Sequence, residues 1–484
     1  MRITPRLLLV ALFIVVAARV GAQTSRRTDN ADAMLATLDA RAAHYADVAK
    51  QIWGFAEVGY QETRSSALLR SELERAGFRM TAGVAGMPTA FTAEYGSGKP
   101  VIAIIGEFDA LPGLSQDSTP EQHALIAGGA GHGCGHHLFG TAAVASAIVV
   151  KEWMTTNRIS GTLRFYGTPA EEGGSGKVYM VRDGLFDDVD AAVTWHPGDR
   201  NQITGTSSLA TISGKFRFHG ISAHAAAAPE QGRSALDAVE IMDVMTNFMR
   251  EHIPQESRIH YVITNGGRAP NVVPDFAEVY YIVRHNDMKV VDDVWERVVN
   301  AAKGAALGTG TTYDVTIVSS EYALLINHTL AKVQQRALER VGGYSYAPEE
   351  KTWAEKLQKT LVHSAVPLET TAQIHPLDLT GPAFPASTDV GDVSWRVPTV
   401  QLTAATWVPG TPAHSWQAVA AGGMSIGAKG MIVAAKTMAL TAAELFTSPA
   451  TIVAAKTEFD RQRGPNFKYA TRLGTQKPAL DYRK

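Results

Sequence analysis

The sequence contains a single cysteine, Cys134, so an intramolecular disulfide is excluded in any compartment. It also lacks an excess of either charge: the formal net charge is −2 and the sequence pI is about 6.7. This balance argues against nucleic acid or an anionic membrane as a partner. The 484 residues, 45% of them hydrophobic, are enough to bury a large core. We therefore expect a globular protein of two or three structural units that acts on a small molecule.

Long apolar runs are scarce, and the first is too short to cross a membrane. Arg2 and Arg6 precede twelve apolar residues, Leu7–Ala18, and the small residues at 20–22 resemble a signal-peptidase site. A membrane-spanning helix needs about 20 apolar residues. Residues 1–22 are therefore predicted to be a cleaved signal peptide of a periplasmic or secreted protein, with an uncleaved membrane anchor as the alternative. No later segment is expected to have the length and apolarity of a transmembrane helix, so no stable membrane insertion is expected after the signal is cleaved.

Short apolar runs alternate with helical patterns, which predicts an α/β fold with a mostly parallel sheet. The clearest strands are Val101–Ile105, Thr162–Tyr166 and Ala191–Trp195. Polar side chains follow each of them at once, and open α/β sheets place their ligands at the carboxyl ends of strands. These polar residues are Glu107, Asp109, Glu171, Glu172 and His196.

The stretch between residues 208 and 319 follows a different order, β-α-β-β-α-β, which is that of a ferredoxin-like unit. We interpret it as an inserted lid or dimerisation domain. The catalytic, metal-binding domain is then discontinuous, formed by residues 23–207 and 320–450. Residues 418–445 are predicted to form one helix, and residues 451–484 a polar tail on the surface.

The segment Gly131–His137, with the sequence G-H-G-C-G-H-H, has the densest concentration of potential metal ligands. In an extended segment Cys134 and His136 project to the same side, and the flanking glycines let the backbone approach an ion closely. Thiolate and imidazole are natural ligands of zinc and similar ions. The alternative is a glycine-rich turn with a buried thiol.

The adjacent pair Glu171 and Glu172 follows a predicted buried strand. Because neighbouring side chains point in different directions, one carboxylate can bind a metal while the other faces the substrate as a base. An isolated Glu-Glu pair is more commonly a solvated turn, and a lone histidine such as His196 or His414 is more commonly structural. Four such positions at strand ends, all with metal-compatible side chains, together favour a metal site.

Seven segments resemble the dinuclear metallo-aminoacylase and carboxypeptidase G family. Within it they resemble the amidohydrolase branch that contains indole-acetyl-amino-acid and aminobenzoyl-glutamate hydrolases. The likeness keeps motif order and spacing from about Leu35 to Leu445. The segments are E-F-D-A-L-P-G-L, G-H-G-C-G-H-H, E-E-G-G-S-G, W-H-P, I-S-A-H-A-A, G-G-R-A-P-N-V-V-P-D and P-A-S-T-D-V-G-D-V-S-W.

This resemblance implies two divalent metal ions, zinc or manganese, and a catalytic base, Glu171. Asp109 takes the position of a carboxylate that orients the metal ligands. His137 departs from the pattern, since many relatives have Asp or Asn there. The implied metal ligands are Cys134, His136, Glu172, His196 and His414.

The resemblance also assigns roles to the inserted domain, which in this family pairs with its twin in a homodimer. His224 is expected to enter the partner's active site and to stabilise the developing oxyanion. Asn271 and Arg284 are expected to bind a substrate carboxylate, Arg284 through a bidentate pair. The alternative for His224 is a surface histidine that precedes a helix, and the alternative for Arg284 is an ordinary salt bridge.

The implied function is hydrolysis of the amide bond in N-acyl or N-aroyl amino acids, with aminobenzoyl-glutamate as the leading example. A metallopeptidase acting on dipeptides is one alternative. Another is a non-catalytic metal-binding or solute-binding subunit. Because part of this branch consists of two-subunit enzymes, a companion subunit also stays open.

Overall fold

The computed structural model describes residues 31–363 and 366–483, so the predicted signal peptide lies outside the described residues. After a helical segment at 31–40, the chain builds the first part of a large α/β domain. Its elements are α1 Ala42–Phe55, α2 Thr63–Arg75, β1 Arg79–Ala82, β2 Phe91–Ser97, β3 Val101–Glu107, α3 His136–Asn157, β4 Gly161–Thr168, α4 Gly176–Arg182, β5 Ala191–Gly198 and β6 Gln202–Ile203.

The insertion follows and forms a second sheet with two helices. Its elements are β7 Ala210–His219, α5 Ala235–Met249, β8 Arg258–Asn265, β9 Phe276–His285, α6 Met288–Thr309 and β10 Thr312–Glu321. The strands lie in the order β10-β7-β9-β8, all antiparallel, with β8 at an edge. Strand β9 alternates buried and half-buried residues along its whole length, and β7 does so towards its end, as expected for a sheet with one covered face.

The chain then returns to the large domain and completes it. The remaining elements are α7 His328–Val341, α8 Pro348–Gln358, α9 Val390–Ser394, β11 Thr399–Ala405, α10 Trp416–Gly422, α11 Ser425–Thr447 and α12 Pro449–Arg463. Its sheet has seven strands in the order β1-β2-β4-β3-β5-β11-β6. The four central strands β4, β3, β5 and β11 are parallel, and β1, β2 and β6 are antiparallel additions. The predicted mostly parallel α/β fold is confirmed.

Two helices of the large domain, α3 and α11, are long and apolar enough to span a membrane by length and composition. The expectation that no later segment has this character was therefore wrong. In each helix 83% of the most apolar window is buried inside the protein. Both helices pack in the core that covers the sheet, so their apolarity is that of core helices.

The helix predicted over residues 418–445 is divided into α10 and α11 around Gly423. A Cβ at this position would lie 2.8 Å from the indole of Trp53, so only glycine permits the close approach of α1. The carbonyl of Gly423 accepts a hydrogen bond from Lys50 Nζ at 2.9 Å. The local sequence favours one continuous helix, but contacts with α1, which is distant in sequence, break it into two.

The C-terminal segment also differs from the polar surface tail that the sequence predicts. Residues 449–463 form helix α12, and the following residues pack against both domains through buried side chains. Leu473 is buried in the large domain, while Tyr469 packs against the core of the insertion. The amphipathic tyrosines and the leucine of this segment account for its attachment.

Glu321 is buried at the junction where the insertion rejoins the large domain. It accepts a hydrogen bond from the hydroxyl of Ser175. Burial, reinforced by the charges of Asp389 and Asp392, raises the pKa of Glu321 to about 8. The folded protein therefore keeps a proton on this carboxyl at a pH at which the unfolded chain has released it.

We predict that Glu321→Gln flattens the pH dependence of stability. In the native chain the extra bound proton makes the unfolding free energy fall as the pH rises from about 5 to about 8, by up to about 1.4 kcal/mol per pH unit. Glutamine cannot titrate, so this contribution disappears. Urea unfolding at several pH values measures it, with the exposed Glu349→Gln as control. Equal slopes in the two variants would contradict the assignment.

Candidate metal centre

The four parallel strands carry the predicted metal ligands to one edge of the large sheet. The turn that contains Cys134 ends at Gly135, and α3 begins at His136. Gly135 has φ +77°, and a Cβ there would lie 2.7 Å from Pro197 Cβ. The glycines of this motif therefore allow β5 and the Cys134 turn to approach closely enough for their side chains to converge.

Cys134, His136 and His196, which we name the His196 set, offer three ligand atoms that lie within 4.8 Å of one another. Cys134 Sγ is 3.4 Å from His196 Nε2. His196 Nδ1 donates to the Pro197 carbonyl at 2.7 Å, and His136 Nδ1 donates to Asp109 at 2.9 Å. These hydrogen bonds fix both rings with Nε2 available for an ion.

Cys134, Glu172 and His414, which we name the His414 set, also offer ligand atoms within 4.8 Å of one another. Glu172 Oε1 lies 3.3 Å from His414 Nε2. The backbone N–H of His414 donates to the Gly133 carbonyl at 2.9 Å, which holds the His414 loop against the Cys134 turn. The two sets share the thiol, so the five predicted ligands form one cluster with two groups of donors.

Glu107 and Glu171 form a third group with His136, again with ligand atoms within 4.8 Å. Glu107 Oε2 lies 3.1 Å from His136 Nε2, yet neither atom makes a hydrogen bond. Glu171, the predicted base, thus lies beside the ligand cluster. From the sequence, Glu107 was noted only as a polar residue that follows the predicted strand Val101–Ile105, and its position next to a predicted ligand was not anticipated.

A buried ion network lies next to this group and was missed from the sequence. Lys177 Nζ is 2.7 Å from Glu107 Oε1 and 2.6 Å from Asp389 Oδ1, and all three side chains are almost fully buried. Lys177 follows the Glu-Glu-Gly-Gly motif by a few positions, and Asp389 lies in the P-A-S-T-D segment. In the sequence, the one hint of a role at the site was that both residues lie in or beside segments that resemble the family.

The cluster holds an excess of negative charge that the protein only partly compensates. Burial raises the pKa of Glu171 well above its usual value, and the charges of Glu107 and Glu172 raise it further. Burial works against protonation of His136, but interactions with the neighbouring acidic groups Cys134, Glu107 and Asp109 outweigh it and raise its pKa. A cation bound here would relieve these repulsions.

The residues fit a pair of divalent transition metals. Burial lowers the pKa of His196 to about 4, so its ring is neutral, as metal binding requires. Thiolate, imidazole and carboxylate donors, with Nε2 of His136 lacking a hydrogen bond, match the ligands of zinc, and the oxygen-rich side also suits manganese.

His137, where the sequence departs from the family pattern, does not point to the ligand cluster. Its Nε2 donates to the Gly422 carbonyl at 3.0 Å, and its ring lies 4.9 Å from that of His132 between the ring centroids. It therefore connects α3 to α10. Asp109 joins His136 to Glu172, by accepting from His136 Nδ1 and from the Glu172 N–H, each at 2.9 Å.

The other predicted site residues lie on the insertion. His224 and Asn271 are exposed on adjacent loops, joined by a hydrogen bond from the Ala225 N–H to the Asn271 carbonyl at 3.0 Å. Within the described part of one chain, neither has a contact with the ligand cluster. Arg284, on β9, faces the large domain and donates to Ser387 Oγ at 3.0 Å.

A mostly parallel α/β domain with an inserted antiparallel sheet, and five soft and hard donors at its strand ends, defines a dinuclear metallohydrolase. The chain belongs to the peptidase family M20/M25/M40, whose pattern it matches over residues 103–418. It is a metal-dependent hydrolase of C–N bonds, as its family implies.

Individual relatives agree with this assignment. A p-aminobenzoyl-glutamate hydrolase subunit of Escherichia coli strain K12 is 44% identical over 446 residues, which is 87% of this chain and 93% of that protein. The Xaa-Arg dipeptidase of Mus musculus is 27% identical over 437 residues, 87% and 90% of the two chains. A crystal structure from Bacillus subtilis, described as a dinuclear metal-binding peptidase from the M20 family, has the same fold. Its TM-score is 0.57 at 17% identity, over 84% of this chain and 99% of that one.

We predict that Cys134→Ser weakens the binding of both cations, whereas His196→Ala weakens only one, because Cys134 belongs to both sets. Loss of even a supporting residue costs about 10- to 100-fold in metal affinity, so the loss of a ligand should cost at least that. Metal per chain, measured by mass spectrometry in chelator-buffered solutions, tests this, with the exposed His123→Ala as control. Two tightly held cations in Cys134→Ser would refute the shared thiol.

Proposed function

We propose that the protein hydrolyses the amide bond of N-acyl or N-aroyl amino acids, with aminobenzoyl-glutamate as the leading substrate. The observation that carries the proposal is the position of Glu171, a carboxyl of raised pKa beside two groups of metal ligands. The 44% identity to an aminobenzoyl-glutamate hydrolase polypeptide supports the substrate class. We also propose that the protein is exported, on the strength of Arg2, Arg6 and the apolar run after them.

The two cations, zinc or manganese, supply Lewis-acid polarisation of the amide carbonyl when bound. They would be held by Cys134, His136 and His196 on one side and by Cys134, Glu172 and His414 on the other. Glu171 takes a proton from the attacking water and returns it to the leaving amine. A carboxyl whose pKa is raised by burial is a stronger proton acceptor than an ordinary glutamate, and it can hold the proton until the leaving amine takes it.

Arg284 is the proposed anchor for the carboxylate of the amino-acid product. Its guanidinium reaches across from β9 to Ser387 on the large domain, at the boundary between the two sheets. A planar guanidinium can bind a carboxylate with two parallel hydrogen bonds, which fixes the substrate's orientation as well as its charge. Asn271 is proposed to assist from the other protomer of a dimer, since it lies beside His224 on the insertion.

A homodimer through the insertion is proposed to complete the site. Helix α5 exposes an apolar face, and Val262 is exposed on the edge strand β8. Such a face and an unpaired strand edge are typical of a surface that pairs with another chain. The exposed large apolar residues of α5 are Ile241, Val244, Met245 and Phe248, the last 73% exposed. In this arrangement His224 of one protomer would donate to the oxyanion in the other.

Glu171→Gln should keep both cations and lose about 10²- to 10⁴-fold in turnover, the contribution of a positioned general base. The measurement is hydrolysis of a panel containing aminobenzoyl-glutamate, other N-acyl amino acids and dipeptides, by the chain purified alone with zinc or manganese. Greater activity on Xaa-Arg dipeptides would favour the peptidase alternative. Undiminished turnover in Glu171→Gln would refute the base, and an inactive native chain with full metal would favour the need for a companion subunit.

His224→Ala should be inactive alone and should regain activity when mixed with Glu171→Gln after the protomers exchange. Half of the randomly reassorted dimers are mixed, and each has one intact site, so about one quarter of native activity is expected. Size-exclusion chromatography of both variants checks that they remain dimeric. Failure of the mixture to recover activity, despite proven exchange, would contradict a site shared across the dimer.

A further inference from the structure

The last described residues of the chain reach the metal centre. Arg483 Nη2 donates to the backbone carbonyl of Glu172 at 2.6 Å, and Tyr482 Oη donates to the same carbonyl at 3.3 Å. Gly59 leaves room for this contact, because a Cβ there would lie 2.2 Å from Tyr482 Oη. Two donors from the C-terminal segment thus converge on one carbonyl of a predicted metal ligand.

The segment that receives these hydrogen bonds, residues 169–175, which we name the glutamate loop, has an unusual backbone. Ala170 and Ser175 have φ +57° and +55°, and Gly173 has φ +101°. Non-glycine residues adopt this region only at a cost, so surrounding contacts must hold the conformation. Asp109 holds the N–H of Glu172, and the C-terminal residues hold its carbonyl.

The segment that delivers Tyr482 and Arg483, residues 464–483, which we name the C-terminal strap, is anchored to both domains. Tyr469 Oη donates to the buried Asp392 of the large domain at 2.7 Å. Arg472 forms an ion pair with Asp292 on α6 of the insertion, at 2.5 Å. Gln476 Nε2 donates to the Ile317 carbonyl on β10 at 3.0 Å. These contacts with both domains therefore fix the position of the strap where it meets the glutamate loop.

The end of the strap is fixed as well. The ring of Tyr482 packs edge-to-face on Tyr60, with 5.6 Å between the ring centroids. Gln61 Nε2 donates to the Leu480 carbonyl at 2.7 Å. Because Tyr60 Oη itself donates to the Gly174 carbonyl at 2.6 Å, the strap and the glutamate loop share a common support.

We propose that Tyr482 and Arg483 are positioning residues, which hold the Glu172 carbonyl and thereby orient the carboxyl groups of Glu171 and Glu172. The inference rests on the proposed function of these two glutamates as base and metal ligand. Without the two donors, the Glu172 carbonyl loses its hydrogen bonds in a loop whose neighbouring residues are held at positive φ. Repulsion among the carboxyl groups of Glu107, Glu171 and Glu172 then favours displacement of the loop.

Arg483 has a competing interpretation, because a guanidinium next to the metal centre can also bind a substrate carboxylate. The two roles differ in what they predict. A carboxylate-binding residue acts on KM and leaves metal affinity unchanged. A residue that holds the Glu172 carbonyl acts on metal affinity and on kcat, whether or not the substrate carries a second carboxylate.

The experiment compares Arg483→Ala, Arg483→Lys and Tyr482→Phe with a control, Arg461→Ala, an exposed arginine on α12. Tyr482→Phe keeps the ring on Tyr60 and removes only the hydroxyl. The measurements are metal affinity by chelator competition, kcat and KM, the thiolate-to-cobalt charge-transfer band of the Co²⁺-loaded protein, and hydrogen exchange of residues 170–175 without metal.

We expect Arg483→Ala to lower metal affinity and kcat by about 10- to 100-fold, the effect of losing a residue that supports a metal ligand. Lysine should restore part of the loss, and Tyr482→Phe should give a smaller change in the same direction. Faster exchange in residues 170–175 and an altered cobalt band should accompany the loss, at an unchanged melting temperature.

Two results would overturn the inference. One is metal affinity, kcat and exchange in Arg483→Ala equal to those of the Arg461→Ala control. The other is a rise in KM alone, which would assign Arg483 to the substrate. Failure of the proposed function itself is distinguishable, since it would show as absent metal binding in the native chain or as full turnover in Glu171→Gln.

Discussion

The metal centre depends on one carboxylate, Asp109, whose two oxygens hold two different elements. Oδ1 accepts from the ring of His136 at the start of α3, and Oδ2 accepts from the N–H of Glu172 after β4. Burial opposes the ionisation of Asp109, but the interaction with His136 prevails and lowers its pKa. A single buried charge therefore sets the distance between the ligands of both sets.

Charge balance imposes the next constraint, since several acidic groups crowd into a buried site. Lys177 compensates for Glu107 and Asp389 from within the core, and their attraction raises its pKa despite the cost of burial. A buried charge survives only with such partners. The network thus makes it possible for Glu107 to lie next to the predicted base while shielded from solvent.

Much of the fold could be predicted from the sequence, because its periodic apolar runs and strand-end polar residues are local signals. The three clearest strands, and the order of the insertion's elements, were visible for this reason. The five ligands were predicted from motifs, and the structure brings them together. Their roles and those of Glu171 and His224 remain predictions.

What the sequence could not predict depends on contacts between distant segments. Lys177 and Asp389 are 212 positions apart, and no local pattern announces their pairing. The contact of Arg483 with Glu172 spans 311 positions, and the polar composition of the C-terminal segment suggested only a surface tail. The break at Gly423 likewise comes from the packing of α1, against a local preference for one continuous helix.

The burial of Cys134 has a consequence for the protein before it acquires metal. Burial, together with the charge of Glu172, raises the pKa of the thiol well above its usual value. The thiolate is the form that peroxide converts to sulfenic acid and then to irreversible oxides. A protonated, enclosed sulfur is thus shielded from oxidative damage until a cation displaces its proton, so metal uptake releases acid and activates the sulfur as a ligand in the same event.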